Sequence, residues 1–345
     1  MTTIVATLPK VELYCRVTDA MDRFQAGELA KAAGLPEGDD EAALAARLDF
    51  DSPEGFLAAS RWQAALIRSP KDLEQLAWRT TRRLLADAVV HAELAVDLCA
   101  LPFNAKKAVA ALDDGIEDAV EESEDAFFSW SLVGELHRGC DATTAMAALE
   151  DWYKASGPRL CAISIVGDET IPLGDLRDVV ARAREMGLAL ALQVGLSGRP
   201  RDLAEVIELR ANRVLHGIGL TRNQEALLHL RAHRVPVMMA PALEVKAGRA
   251  RSLAQHPILK LQEAGLFVTV ASVSPGLLQI DLTGQLESLS QHLGWRLDTL
   301  RNFTLRSVEA AFMAPTSRFV VARAVENWQH RPKLTGGDED TGFGM

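Results

Sequence analysis

Few side chains in this sequence stand where acid–base or metal chemistry would need them. RVLHGIG carries His216 at the end of an apolar run, where an imidazole serves as a proton acceptor or donor, or as a hydrogen-bonded residue of a buried wall. In HAELAVD, His91, Glu93 and Asp97 alternate, so on a strand they share one face, either as a relocated metal site or as a structural cluster. HRGC, His137 to Cys140, brings an imidazole near a thiol, but in a stretch expected to be helical, which argues against a catalytic dyad. GLSGRPRD, Gly195 to Asp202, is a basic loop suited to phosphate or to plain solvation. There is no GxSxG elbow, GxxxxGK[ST] phosphate loop or GxGxxG turn. Cys15, Cys99, Cys140 and Cys161 are spread without CxxC or CxxH spacing, as expected of reduced thiols, and the apolar runs around Cys15, Cys99 and Cys161 place those three in the core.

The elements that must position these groups are legible as alternation. Apolar runs at Val11 to Val17, Val89 to Val96, Phe127 to Val133, Leu160 to Val166, Leu188 to Val194, Arg213 to Ile218, Val235 to Ala240 and Phe267 to Ala271 are mostly separated by charge-rich, helix-like segments. Runs such as LALALQV are apolar almost throughout, which is the pattern of parallel strands covered on both faces. Eight such units predict an α/β fold of the closed (β/α)8 barrel type, with its chemistry at the C-terminal ends of the strands. GELAKAAGL, DEAALAARL and PEGFLAASRWQAALI predict a helical insertion over Thr18 to Ala88, lying across one end of the barrel. GQLESLSQHLGW and DTLRNFTLRSVEAAFM predict C-terminal helices, and RPKLTGGDEDTGFGM, Arg331 to Met345, a disordered tail, so that residues 1–330 form a single domain.

A hydrophobic content of 48% with 24% charged residues describes a globular chain, and a net charge of −10 gives no field for phosphate backbones. Neither a signal peptide nor a run of about 18 apolar residues is present, so a cytoplasmic protein without nucleic-acid or membrane partners is expected.

LPKVELYCRVTDA, IVGDETI, RVLHGIGL, HPILKL and VASVSPGLL occur in the order and spacing of the adenosine deaminase family, which this chain resembles from about residue 8 to about residue 315. The resemblance implies the barrel fold of the metal-dependent hydrolases and hydrolysis of a purine 6-amino group by a zinc-bound water. The family's first strand reads PKVELHxHLDGA, its fifth ends in HAGE and its eighth in a TDDP-like sequence. Mapped onto this chain, the metal and catalytic positions are Tyr14, Arg16, Gln193, Leu196, Val273 and Ser274, so the ligands, the proton donor and the water-orienting carboxylate are replaced. No zinc and no other cofactor is therefore expected. His216 matches the histidine of the family's GHG motif and is the one polar catalytic position retained, and Gly167 in VGDET matches the glycine whose amide meets the purine. Thr18 stands where the family's aspartate meets the 5′-hydroxyl. Arg16 carries a permanent cation to the barrel mouth, to pair with Glu12 or Asp19 or to meet an anionic ligand.

Two functions follow as expectations. One is an inert relative of the deaminases, binding a purine-like small molecule or acting as a regulatory subunit with an active paralogue or a second copy of itself. The other is a divergent hydrolase or deaminase of a nucleoside-like or anionic substrate, with His216 as acid or base and Arg16 as anchor. Arg16 and His216 facing one open cavity would favour catalysis; Arg16 pinned by a carboxylate beneath Tyr14 and Leu196 would favour inertness.

Overall fold

The computed structural model describes residues 4–123, 127–194 and 200–328. Eight strands, β1 (Lys10–Arg16), β2 (Val89–Asp97), β3 (Ser129–His137), β4 (Leu160–Val166), β5 (Ala189–Val194), β6 (Arg213–His216), β7 (Val237–Met239) and β8 (Val268–Val270), pair in chain order, every pair parallel. The (β/α)8 barrel expected from the alternation is present, and the strands fall close to the apolar runs. Strand β3 runs past Val133 to His137. Its last turn carries Gly134 and Glu135, and a carboxylate continues the strand because Tyr14 and Arg16 satisfy it inside the barrel.

The barrel closes through a seam. Cys15 bridges to Val273 across it, with Arg16 N donating to Val273 O at 2.9 Å, and the Glu12 carboxylate adds to this by accepting from Tyr14 N and from Ser272 N. A bulge between Glu12 and Cys15 turns these two outward and keeps Val11, Leu13 and Tyr14 in the inner core with Ala95, Val133 and Met238. The lower barrel is plugged by Arg213, fully buried, whose guanidinium grips both oxygens of Glu93 at 2.7 and 2.9 Å and donates to Leu13 O and Ala310 O.

Between β1 and β2 run α1 (Arg23–Ala32), α2 (Glu41–Leu48), α3 (Pro53–Ala65) and α4 (Pro70–Ala86). Each begins where the sequence offers a cap: Asp22, Asp40, Ser52 and Ser69 side chains accept from the first-turn amides, and Ser69 with Asp72 forms a full capping box. Leu73, Leu76, Ala77, Thr80 and Leu84 give α4 its buried stripe. It packs on α5 (Ala105–Glu121), where Gly115 admits the close approach: a Cβ there would lie 2.2 Å from Glu74 O. α4 and the terminal helix Pro315–Glu326 are additional to the helices that periodicity predicts. Strand β3 is followed by α6 (Ala142–Ser156) and β4 by α7 (Leu176–Glu185). HRGC therefore lies on the end of β3 and in the loop before α6, not in the helix expected there, because Gly139 at φ +83° and the Asp141 cap delay the helix start. The expected tail at Arg331 to Met345 lies outside the described residues. No helix among the described residues is long and apolar enough to cross a membrane.

Candidate ligand site at the barrel mouth

The inner end of the mouth is occupied by a polar network built from β1, β3, β4, α3 and the segments that follow β1 and β8. Tyr14 and Arg16 project inward from β1. The Tyr14 hydroxyl lies 2.6 Å from Glu135 Oε1 and 2.7 Å from Ser164 Oγ, and Arg16 Nε donates to both Glu135 oxygens at 2.9 and 3.1 Å. On its other side, Arg16 donates to Asp19 Oδ2 and to Ser60 Oγ, both at 2.8 Å, and Ser60 in turn donates to Asp19 Oδ1. Ser274, the residue after Val273 beyond β8, donates to Asp19 Oδ2 at 2.9 Å. Arg16 thus pairs with Asp19, as one expectation had it, and with Glu135; Glu12 is unavailable because the bulge turns it to the seam.

Burial alone would lower the Arg16 guanidinium and raise Glu135, but each outweighs this for the other. Asp19 and Glu135 raise Arg16, and Arg16, with His137, holds Glu135 below the usual carboxylate range. Burial and the Glu135 charge push the Tyr14 phenol well above its ordinary value, so it stays a donor. Phe56 of α3 caps the guanidinium, with Arg16 Cζ 5.9 Å from the ring centroid. Within this network only about 20 Å³ of space remains, bounded also by His137, Gly167, Gln193, Val273 and His216, which is room for roughly one water.

His216 ends β6 in a left-handed conformation, φ +73°, followed by Gly217 at +66°. That reversal stops the strand two residues before the apolar run ends and aims the imidazole at the mouth. Its Nδ1 lies 2.9 Å from Glu244 Oε1, and the second oxygen of Glu244 lies 2.7 Å from His256 Nε2. Glu244, in α10 after α8 (Pro200–Glu208) and α9 (Gln224–Ala232), also accepts from Ala240 N; α10 spans Pro241–Lys246. Burial would raise this carboxyl, but hydrogen bonds from His216 and His256 hold it down to about 2. An ionised Glu244 accepts a hydrogen bond from His216 Nδ1 and so fixes the orientation of the ring, which lines both cavities.

Above this floor opens a cavity of about 330 Å³, walled by Phe56 and Leu57 of α3, Gly167, Gln193, His216 and Arg249. Gly167 has φ +102°, and Gln193 Nε2 donates to its carbonyl at 2.8 Å, fixing the turn after β4. Arg16 does not line this larger space, so the space that Arg16 and His216 share is the inner one of about 20 Å³ and not the open cavity. Thr18 also does not line it; its hydroxyl is turned to Asp19. Leu196 and most of the loop GLSGRPRD lie outside the described residues. The alternating cluster on β2 is dispersed: His91 bonds Ser129, Glu93 is held by Arg213, and Asp97 stands 3.4 Å from His137. Cys99 and Cys161, expected in the core, are exposed and half-buried respectively, because Cys99 falls one turn past the end of β2 and Cys161 at the edge of β4.

Glu135, Ser60, Glu244 and His256 do not stand out in the sequence. Glu135 is two residues from the end of a strand run, the position a barrel uses for chemistry, and this was the one available signal. The others are brought in by α3 and α10 from segments whose packing no local pattern fixes.

An eight-stranded parallel barrel with its polar constellation at the C-terminal strand ends defines the class of (β/α)8 barrels. Residues 9–328 match the family model described as Adenosine deaminase, and the chain belongs to that family. Aminodeoxyfutalosine deaminase of Streptomyces avermitilis is 26% identical over 335 residues, 94% of this chain and 92% of that protein. An amidohydrolase from Burkholderia ambifaria with bound zinc shares the fold at TM-score 0.83 and 24% identity, covering 94% of this chain and 91% of that one. Arabidopsis ADAL complexed with IMP does so at TM-score 0.84 and 15% identity, covering 93% and 97%.

The zinc-bound Burkholderia structure corrects the expectation of a cofactor-free protein. That neighbour holds zinc in the same fold, and the replacements at Tyr14, Arg16, Gln193 and Val273 describe those positions rather than the metal content of this chain. The donor set at the described strand ends, Tyr14, Arg16, Gln193 and Val273, does not itself fit zinc, which takes His, Cys and carboxylate ligands. Among the described residues no group of three or more His, Cys, Asp or Glu converges for a metal.

Proposed function

We propose that this adenosine deaminase relative is a pseudoenzyme that binds a purine-like ligand in the 330 Å³ cavity without deaminating it. The observation that carries the reading is the pinning of Arg16 by Glu135 and Asp19 beneath Tyr14 and Phe56. Where hydrolysis would need a nucleophile and an acid converging on a purine C6, these side chains satisfy one another and leave little space.

The cavity above supports ligand binding. Its volume falls within the ordinary range of small-molecule sites, roughly 300–1,000 Å³. Phe56 brings an aromatic side chain to the wall, and Gly167 and the His216 imidazole bring groups able to hydrogen-bond a purine edge. That the Arabidopsis neighbour holds IMP supports a purine as the ligand class.

A second reading, a divergent hydrolase or deaminase, draws support from Glu244, which orients His216 as a base. It lacks an anchor, since Arg16 is committed to its own carboxylates.

Calorimetric titration with adenine, adenosine, inosine and IMP tests the proposal. Saturable binding of at least one is expected, weakened about 10- to 100-fold by His216→Ala, the range for losing one buried hydrogen bond of 1–3 kcal/mol. Failure of all four to bind would remove the purine reading.

A further inference from the structure

Cys99 follows β2 and Cys140 follows β3, 41 residues apart in sequence, yet their sulfurs stand 3.9 Å apart. Cys99 is exposed and Cys140 half-buried. We propose that they are a redox-modifiable pair, which a small-molecule disulfide converts into an intrachain disulfide tying together the loops after β2 and β3.

The geometry favours closure. A disulfide has an S–S distance of about 2.05 Å, so the sulfurs must approach by roughly 1.9 Å, within the reach of side-chain rotation. The strands beneath are fixed to each other up to the pairing of Asp97 with Glu135, which keeps the two loops in register. Above that pairing, Cys99 N donates to Asp97 Oδ1 at 2.8 Å, and Cys140 N to His137 O, so both cysteines are anchored to the strand ends. The other two cysteines, Cys15 and Cys161, sit on β1 and β4.

The chemistry balances with a disulfide RSSR as oxidant. The Cys99 thiolate attacks one sulfur of RSSR, forming the Cys99–SR bond and expelling RS⁻, which takes up the proton that Cys99 gave up. The Cys140 thiolate then attacks the Cys99 sulfur and expels the second RS⁻. The protein loses two protons and two electrons, and one RSSR becomes two RSH. Burial, with the neighbouring Cys140 and Asp97, pushes the Cys99 thiol up to about 12, so the first step accelerates as pH rises above neutrality.

The link would bear on the mouth. His137, between the two loops, stands 3.4 Å from Asp97 and lines the inner space, and a Cβ on Gly167 would meet its Nδ1 at 3.4 Å. Oxidation therefore stiffens one wall of the site, and this holds whether or not a purine is the ligand.

The test uses the full chain, reduced, freed of reductant and incubated with oxidised glutathione at mildly alkaline pH. After alkylation, unreduced proteolytic fragments are mapped by mass spectrometry. The expected result is a Cys99–Cys140 cross-linked pair of fragments, with two of the four cysteines lost to alkylation and both restored by reductant. Cys140→Ser should instead retain a glutathione adduct on Cys99. Four alkylatable thiols in the treated wild type, or a glutathione adduct on Cys99 that persists without transfer to Cys140, would overturn the proposal. The wild-type map decides the matter even where the serine variant fails to fold. As a second readout, Tm rises on oxidation and falls back on reduction.

Discussion

Arg16 Nε faces both carboxylate oxygens of Glu135, at 2.9 and 3.1 Å, in the space between β1 and β3. The pair is buried and shares its carboxylate with Tyr14. Removing one member strands the other: Glu135→Ala leaves the buried Arg16 guanidinium with Asp19 and Ser60 alone, and the Tyr14 phenol with Ser164 alone. Breaking such a pair costs about 3–5 kcal/mol, which urea unfolding would measure. Arg16→Met combined with Glu135→Ala should recover part of the loss, because no uncompensated charge remains. A single-variant change within about 1 kcal/mol, the level of an exposed pair, would contradict the buried network.

Glu244 gives a pH dependence of definite sign. Its folded value of about 2 lies below its ordinary 4.5, so the folded state favours the ionised form. The stabilisation is fully present above about 4.5 and is lost as pH falls from there toward 2, an effect on the order of 3 kcal/mol for the shift. Glu244→Gln should be less stable near neutrality and show a flatter acid limb in chemical denaturation. An unchanged acid limb would count against His216 and His256 as its partners.

Gly217 holds the turn that aims His216. At φ +66°, an added Cβ would lie 2.5 Å from Val237 Cγ1 and 2.8 Å from Leu220 Cδ1. Gly217→Ala should therefore cost about 2 kcal/mol or more, combining the left-handed penalty with overpacking, and should weaken ligand binding with it. Gly34 has φ +69° with nothing within 4 Å of the added Cβ, so Gly34→Ala should cost only the backbone part, about 1 kcal/mol. Equal losses in the two variants would contradict the packing argument.

The barrel was legible because buried parallel strands write themselves as continuous apolar runs, and even short β7 and β8 carry that mark. Strand β3 runs past the end of its apolar run at Val133, because Arg16 and Tyr14 make Glu135 an interior residue that apolar patterning does not mark. His216 stands at the end of its apolar run, and the resemblance to the family's motifs singled out both His216 and Gly167. The partners that decide their behaviour carry no such mark: Ser60 and Phe56 arrive on α3, Glu244 on α10 and His256 from the segment beyond it, and such contacts depend on tertiary packing that periodicity does not encode. The thiol pair was hidden for the same reason, since adjacent strands bring together cysteines that sequence separation sets apart.

The central claim, purine binding without deamination, is tested most directly by following the ultraviolet absorbance of adenosine with purified chain at neutral pH, with and without added zinc. The account predicts no loss of adenosine above a mock purification in either condition, with a saturable purine titration in the same preparation. Turnover at an enzymatic rate, dependent on zinc and abolished by His216→Ala, would contradict it and place a working catalytic centre in this barrel.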